Sequence, residues 1–135
     1  MNYTLIIGAT VAQFVLGAVW YSPLLFGKVW TQIMEMTNMT PEELKKMQKS
    51  MAPFYGLQFA LTFATTYVFA TLAANMPGVD IYTLAFWLWG GFVAPFQIAS
   101  VVWGSTKRQY WVKQILVMIG MQLVGIYLAA YILSF

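Results

Sequence analysis

Apolar residues run almost without interruption over residues 3–21, and the first charged side chain in the chain is Lys28. Three more runs of this kind follow, at residues 51–75, 81–104 and 110–133. Each has the length that a hydrocarbon layer of about 30 Å demands, about 20 helical residues. Backbone polar groups cannot go unpaired in lipid, and no alternating ten-residue pattern suggests a barrel, so all four runs are expected to be helices. The pattern predicts an all-α fold, a four-helix transmembrane bundle that makes a single integral membrane domain of residues 1–135.

The chain leaves the first run through Trp20-Tyr21-Ser22-Pro23-Leu24-Leu25-Phe26-Gly27-Lys28-Val29-Trp30. The rings of Tyr21 and the two tryptophans suit the boundary between lipid and water. Pro23 lacks a backbone N–H and biases Ser22 away from helical angles, so the first helix should stop here. The connection over residues 22–50 is too long for a simple turn and has a pattern of its own. Phe26, Val29, Trp30, Ile33 and Met34 recur at three- and four-residue steps, with Lys28, Thr31, Gln32 and Glu35 on the other side. That spacing predicts an amphipathic interfacial helix between the first and second spans. Thr40-Pro41-Glu42-Glu43 then restarts a helix, with Thr as N-cap, Pro in the first turn and Glu43 placed to close a capping box. This helix is expected to run on towards the second span, with a kink at Pro53. Asn75-Met76-Pro77-Gly78 marks a short turn between the second and third spans, which should be antiparallel neighbours.

Composition agrees: 61% of residues are hydrophobic and 8% charged, far from the balance of a soluble domain. The absence of cysteine and histidine removes disulfides, thiolate chemistry and the commonest metal ligand. No cofactor and no metal site are expected. The net charge of +3 does not point to nucleic acid, because the basic residues sit in two short segments beside apolar runs. Lys28, Lys45, Lys46 and Lys49 lie in the first connection, and Lys107, Arg108 and Lys113 lie around the third. By the positive-inside rule both basic loops are cytoplasmic, facing anionic membrane lipids, and both termini are outside.

Apart from Lys113 near the start of the fourth span, the spans carry no acid, Lys or Arg in their interior. Proton relays and ion-coupled pumps depend on such residues, so no catalytic residues are assigned and the protein is expected not to be an enzyme. What the spans do carry is amides and hydroxyls on one face each. The first has Ala9, Ala12, Gln13, Leu16, Gly17 and Trp20, and the second has Tyr55, Gln58, Thr62, Thr65, Thr66 and Phe69. The third has Gly90, Gln97 and Gly104 at seven-residue intervals with Ala94 and Ser100 beside them, and the fourth has Gln114, Met118, Gln122, Gly125 and Ala129. An amide turned to lipid without a partner costs several kcal/mol, so these faces should meet. They serve either as packing contacts, worth about 0.6 kcal/mol each, or as the lining of an uncharged cavity centred on Gln13, Gln58 and Gln97. The candidate ligand-binding residues are Gln13, Gln58, Thr62, Gln97, Ser100 and Gln122. Pro95, after Gly90-Gly91, should bend the third span.

The signature Gly17-x-x-Trp20-Tyr21-Ser22-Pro23-Leu24-Leu25-Phe26-Gly27-x-x-Trp30, with the later Phe86-Trp87-Leu88-Trp89-Gly90-Gly91-Phe92-Val93-Ala94-Pro95, resembles a family of small bacterial four-span membrane proteins known as a domain of unknown function. The resemblance covers nearly the whole chain and implies a bacterial plasma-membrane location and the same four-helix plan. It implies no activity, substrate or site residue. The expected function is that of a non-enzymatic membrane protein that self-associates as a homo-oligomer or serves a partner membrane protein as an accessory subunit. Small-residue pairs such as Ala60 with Ala64 and Ala70 with Ala74 could seat the partner helix. The alternative is a small homo-oligomeric transporter or channel for an uncharged or weakly polar solute.

Overall fold

Inside hydrocarbon the backbone must satisfy itself, and each apolar run becomes a helix. The computed structural model describes residues 2–135, and among them four helical segments are long and apolar enough to cross a membrane. The first span is α1 (Tyr3–Trp20), whose N-cap Asn2 accepts the Leu5 N–H. The first connection holds α2 (Gly27–Ile33) and α3 (Pro41–Ser50), and the second span is α4 (Ala52–Asn75). The third span is α5 (Ile81–Leu88), a π-helical turn (Trp89–Val93) and α6 (Ala94–Val102). A single 3₁₀ turn (Arg108–Tyr110) leads into the fourth span, α7 (Trp111–Leu133).

The local signals act as their chemistry requires. The capping box forms in full at α3, with Glu43 N–H donating to Thr40 Oγ1 at 3.2 Å and Thr40 N–H donating to Glu43 Oε2 at 3.4 Å. The chain passes from α3 into α4 through Met51 alone, which caps both, and Pro53 sits in the first turn of α4 where its missing N–H does no harm. Asp80 is the N-cap of α5, its carboxylate accepting the N–H groups of Tyr82 and Thr83. That role explains the one acid of the short turn at residues 76–80.

The spans are strung side by side in the order α4, α1, α7, third span, with α1 packed on both α7 and α4, and the third span packed on α7. The row closes on itself only at the end that carries the short turn. There Ala9, Phe69, Leu84, Ala85, Ala129 and Ala130 from all four spans form the buried core. At the other end, where the first and third connections lie, α4 has no packed interface with α6 or α7. The residues from Ala52 to Gln58 are all exposed, and Phe59 reaches back to meet Phe14 edge-on at 5.6 Å. An open flank results, bordered by the first half of α4 and by α6.

Pro95 shapes the third span by widening it. The Ala94 N–H reaches back five residues to the Trp89 carbonyl. In an α-helix the Gly90 carbonyl would take that N–H, and the Gly91 carbonyl would take the one that Pro95 lacks. The turn therefore absorbs the proline and withdraws from the Gly90 carbonyl the donor it would have in an α-helix. Its five-residue step also joins the buried stripe of Leu84 and Ala85 to that of Ala94 and Val101. The expected seven-residue face is broken by the same step, since one extra residue rotates the remainder of the helix by about 100°. Gly90 and Gly104 are exposed, while Gln97 is half-buried.

Residues 20–30 fold as a tight corner on the end of α7. Gly27 N–H and Leu25 N–H both donate to the Ser22 carbonyl, at 2.8 and 3.1 Å, and Phe26 N–H donates to Trp20. A Cβ on Gly27 would lie 2.5 Å from the Ser22 carbonyl carbon, so only glycine fits this approach. Trp20 stacks obliquely on Phe26 at 4.7 Å, and Tyr21 meets Trp30 edge-on at 4.9 Å. The helix expected over residues 26–34 forms as α2, with Ile33 buried, Val29 and Trp30 half-buried, and Lys28 and Gln32 exposed; it packs on α7.

Candidate functional site

Midway along the bundle, α1 and α4 are tied by one side-chain pair. Gln13 Nε2 donates to Thr66 Oγ1 at 2.8 Å and to the carbonyl of Ala9 at 3.1 Å. Thr66 is buried and passes its own proton to the Thr62 carbonyl at 2.7 Å. Gln13 lies over Gly125 of α7, whose missing side chain makes room: a Cβ there would sit 3.8 Å from Gln13 Oε1. From the far side Trp89 sends its indole N–H across to the Ile119 carbonyl at 2.8 Å. These contacts frame a pocket of about 30 Å³ lined by Gln13, Thr65, Thr66, Phe69, Trp89, Val93, Gln122, Ile126 and Ala129. It contains no charged group.

Of the six residues expected to line a site, the structure brings Gln13 and Gln122 into this pocket. Gln58 lies elsewhere, on the exposed part of α4, where it donates to Thr62 of its own helix at 3.2 Å. Thr62 is half-buried and spends its proton on the Gln58 carbonyl. Ser100 is exposed and bonds only the Gln97 carbonyl, one turn before it. Gln13, Gln58 and Gln97 do not share this pocket: Gln58 lies on the exposed part of α4, and the π-helical turn rotates the face of the third span that carries Gln97. The buried Oε1 atoms of Gln97 and Gln114 have no hydrogen-bond donor among the described residues.

Two further expectations change. Ala70 is buried and borders a shallow groove at the turn end with Leu5, Ile6 and Leu133, so the Ala70 and Ala74 pair is only half available to a partner. Ala60 and Ala64 are exposed, as a docking face needs. Trp20 is more than a boundary residue, since its indole N–H donates into the bundle to the Val117 carbonyl at 3.0 Å. Trp89 was absent from the expected site; its signal in the sequence is an indole N–H in mid-span, which in hydrocarbon must find an acceptor.

At the loop end one ion pair joins the first and third connections. Lys107 Nζ lies 2.6 Å from Glu35 Oε1, both exposed. The Glu35 carboxylate, by hydrogen bond and then by charge, holds the Lys107 ammonium above the ordinary lysine value. Nearby, the Arg108 guanidinium stacks 5.6 Å over the Trp111 ring, and Trp111 donates to the Thr106 carbonyl at 2.9 Å. Among the described residues, no group of acids could hold a metal ion. The site is built for uncharged hydrogen bonding.

The model of one protein family, described as a protein of unknown function (DUF1761), matches residues 4–134. The chain belongs to that family. No curated protein and no solved structure matches it.

Proposed function

We propose that this family member works as a non-enzymatic, self-associating subunit of the bacterial plasma membrane, with its basic loops in the cytoplasm, both termini outside and α2 lying in the cytoplasmic interface. One observation carries the reading: the open flank of α4 is polar. Gln58, Thr62 and Thr65 follow at steps of four and three residues along the part of α4 that leaves the bundle, and Gln58 and Thr65 are exposed. An amide left without an outside partner in hydrocarbon costs several kcal/mol, and small residues beside it, here Ala60 and Ala64, let a second helix come close. A second copy of the same chain supplies the matching chemistry, because a carboxamide both donates and accepts.

The test uses the absence of native cysteine. Single cysteines are placed at Leu61, on the flank, and at Val124, exposed on α7, and cross-linked by oxidation in intact membranes. Leu61→Cys is expected to give a covalent dimer and Val124→Cys to remain monomeric, with Gln58→Leu lowering the Leu61 yield. Equal cross-linking at both positions, or a monomeric mass in mild detergent with none at either, overturns the reading.

A second reading, a homo-oligomeric channel for an uncharged solute, draws support from the Gln13 and Gln122 pocket. Its test is solute flux into vesicles that contain the protein, compared with vesicles that contain Gln122→Leu.

A further inference from the structure

We infer that the pocket between Gln13 and Gln122 is a binding site for water, and that this water is the hydrogen-bonded link between α1 and α7 at the middle of the membrane. The inference goes beyond self-association and stands without it.

Size gives the first argument. A volume of about 30 Å³ holds one water molecule or two, since each occupies roughly 10–15 Å³ on this scale, and it is too small for an organic solute. Chemistry gives the second. Gln13 has committed its amide protons to Thr66 and Ala9, which leaves Oε1 as an acceptor beside the gap at Gly125. The Gln122 carboxamide has no partner among the described residues, so it offers both donor and acceptor. Thr65 gives its proton to the Leu61 carbonyl and keeps lone pairs free. These three groups match the two to four partners that a buried water takes. Phe69, Val93, Ile126 and Ala129 complete the wall and offer no substitute partner, so a dry pocket would leave Gln122 unpaired. An ion is unsuited for the opposite reason: no lining group is charged, and an unpaired ion is strongly disfavoured in such surroundings.

The walls are also held apart. The Gln13 to Thr66 bond fixes α1 against α4, and the Trp89 to Ile119 bond fixes the third span against α7, so collapse onto Gln122 would break one of them. The pocket borders the flank at Thr65, which is exposed.

The whole protein in lipid bilayers answers the question by water-edited solid-state NMR, which times magnetisation transfer from water to individual sites. The side-chain amides of Gln13 and Gln122 are expected to receive it several-fold faster than the Ala129 methyl on the same wall. In Gln122→Leu, and in Gln122→Met should the leucine variant fail to fold, the enhancement at Gln13 should disappear. Transfer at the wild-type amides no faster than at Ala129 overturns the inference, and so does an enhancement at Gln13 that survives loss of the Gln122 amide.

Discussion

Gln13 Nε2 meets Thr66 Oγ1 at 2.8 Å across 53 residues of sequence, and among the described residues it is the one hydrogen bond between side chains of two different spans. Each partner also bonds a carbonyl of its own helix, so the pair forms a four-group relay. Thr66→Val keeps the shape and removes the acceptor. It should cost about 1 kcal/mol, within the range of up to about 1.7 kcal/mol found for such bonds in membranes. Reversible unfolding in mixed micelles measures it. A double-mutant cycle with Gln13→Leu should show non-additivity, because neither change alone removes only its own half of the bond.

Gly27 has ordinary backbone angles, so its necessity comes from space. The Ser22 carbonyl occupies the place of a side chain, with carbon and oxygen 2.5 and 2.6 Å from a Cβ. Both atoms are backbone and cannot turn aside. Gly27→Ala should destabilise by the upper part of the roughly 1–3 kcal/mol typical of overpacking, and limited proteolysis should then cut within residues 21–26 faster than in the wild type. Gly56→Ala, where no atom lies within 4 Å, is the silent control.

Trp20 lies over Gly120, where a Cβ would stand 3.2 Å from Cζ2 of the ring. Gly120→Ala should tilt the ring by a small amount and Gly120→Leu should expel it, breaking its bond to the Val117 carbonyl. The expected loss for leucine is about 3 kcal/mol, with a change in Trp20 fluorescence that Gly120→Ala shows only weakly. The readout needs a variant that keeps Trp20 and replaces the five other tryptophans, Trp30, Trp87, Trp89, Trp103 and Trp111, by phenylalanine.

Glu35 is held at a φ of 57°, the left-handed conformation that ends α2. Met36 N–H bonds the Thr31 carbonyl at 2.9 Å and Glu35 N–H bonds the Gln32 carbonyl at 3.2 Å, the paired closure of a Schellman end. Glycine would do this with less strain, by about 1 kcal/mol. Glu35→Gly should therefore raise the thermal midpoint slightly while Glu35→Ala, which keeps the strain, leaves it nearly unchanged, since the exposed ion pair with Lys107 contributes little.

That ion pair has a pH signature. Lys107 is held above its ordinary value of 10.5, so its contribution is complete below that pH and fades as pH climbs through the higher folded-state value. The difference in thermal midpoint between wild type and Lys107→Met should be constant from neutral pH to about 9 and vanish at strongly alkaline pH. A difference that grows with pH would show that another group is responsible.

Much of the fold was legible because hydrocarbon makes local demands. The spans at residues 3–21, 51–75, 81–104 and 110–133 match the helical spans to within two residues at every end, since length and apolarity alone decide what can cross. The Thr40 to Glu43 box and the Asn75 to Gly78 turn were equally local. The site was legible only in part. Gln13 and Gln122 could be named as polar residues on inward faces, yet so could Gln58, Thr62, Gln97 and Ser100, and nothing in their spacing separated the two groups.

The amino-acid order thus determined the number of spans, their limits, their caps and the uncharged character of whatever lies between them, because each follows from residues within a turn or two of one another. Which amides meet was decided only by tertiary structure. The divergence of α4 and the five-residue step after Trp89 are properties of how rods tilt and rotate against neighbours, and a rotation of about 100° is enough to move a glutamine from one side of a helix to another. A hydrogen bond between Gln13 and Thr66, or an ion pair between Glu35 and Lys107, depends on such angles to within an ångström, and no single helix carries that information.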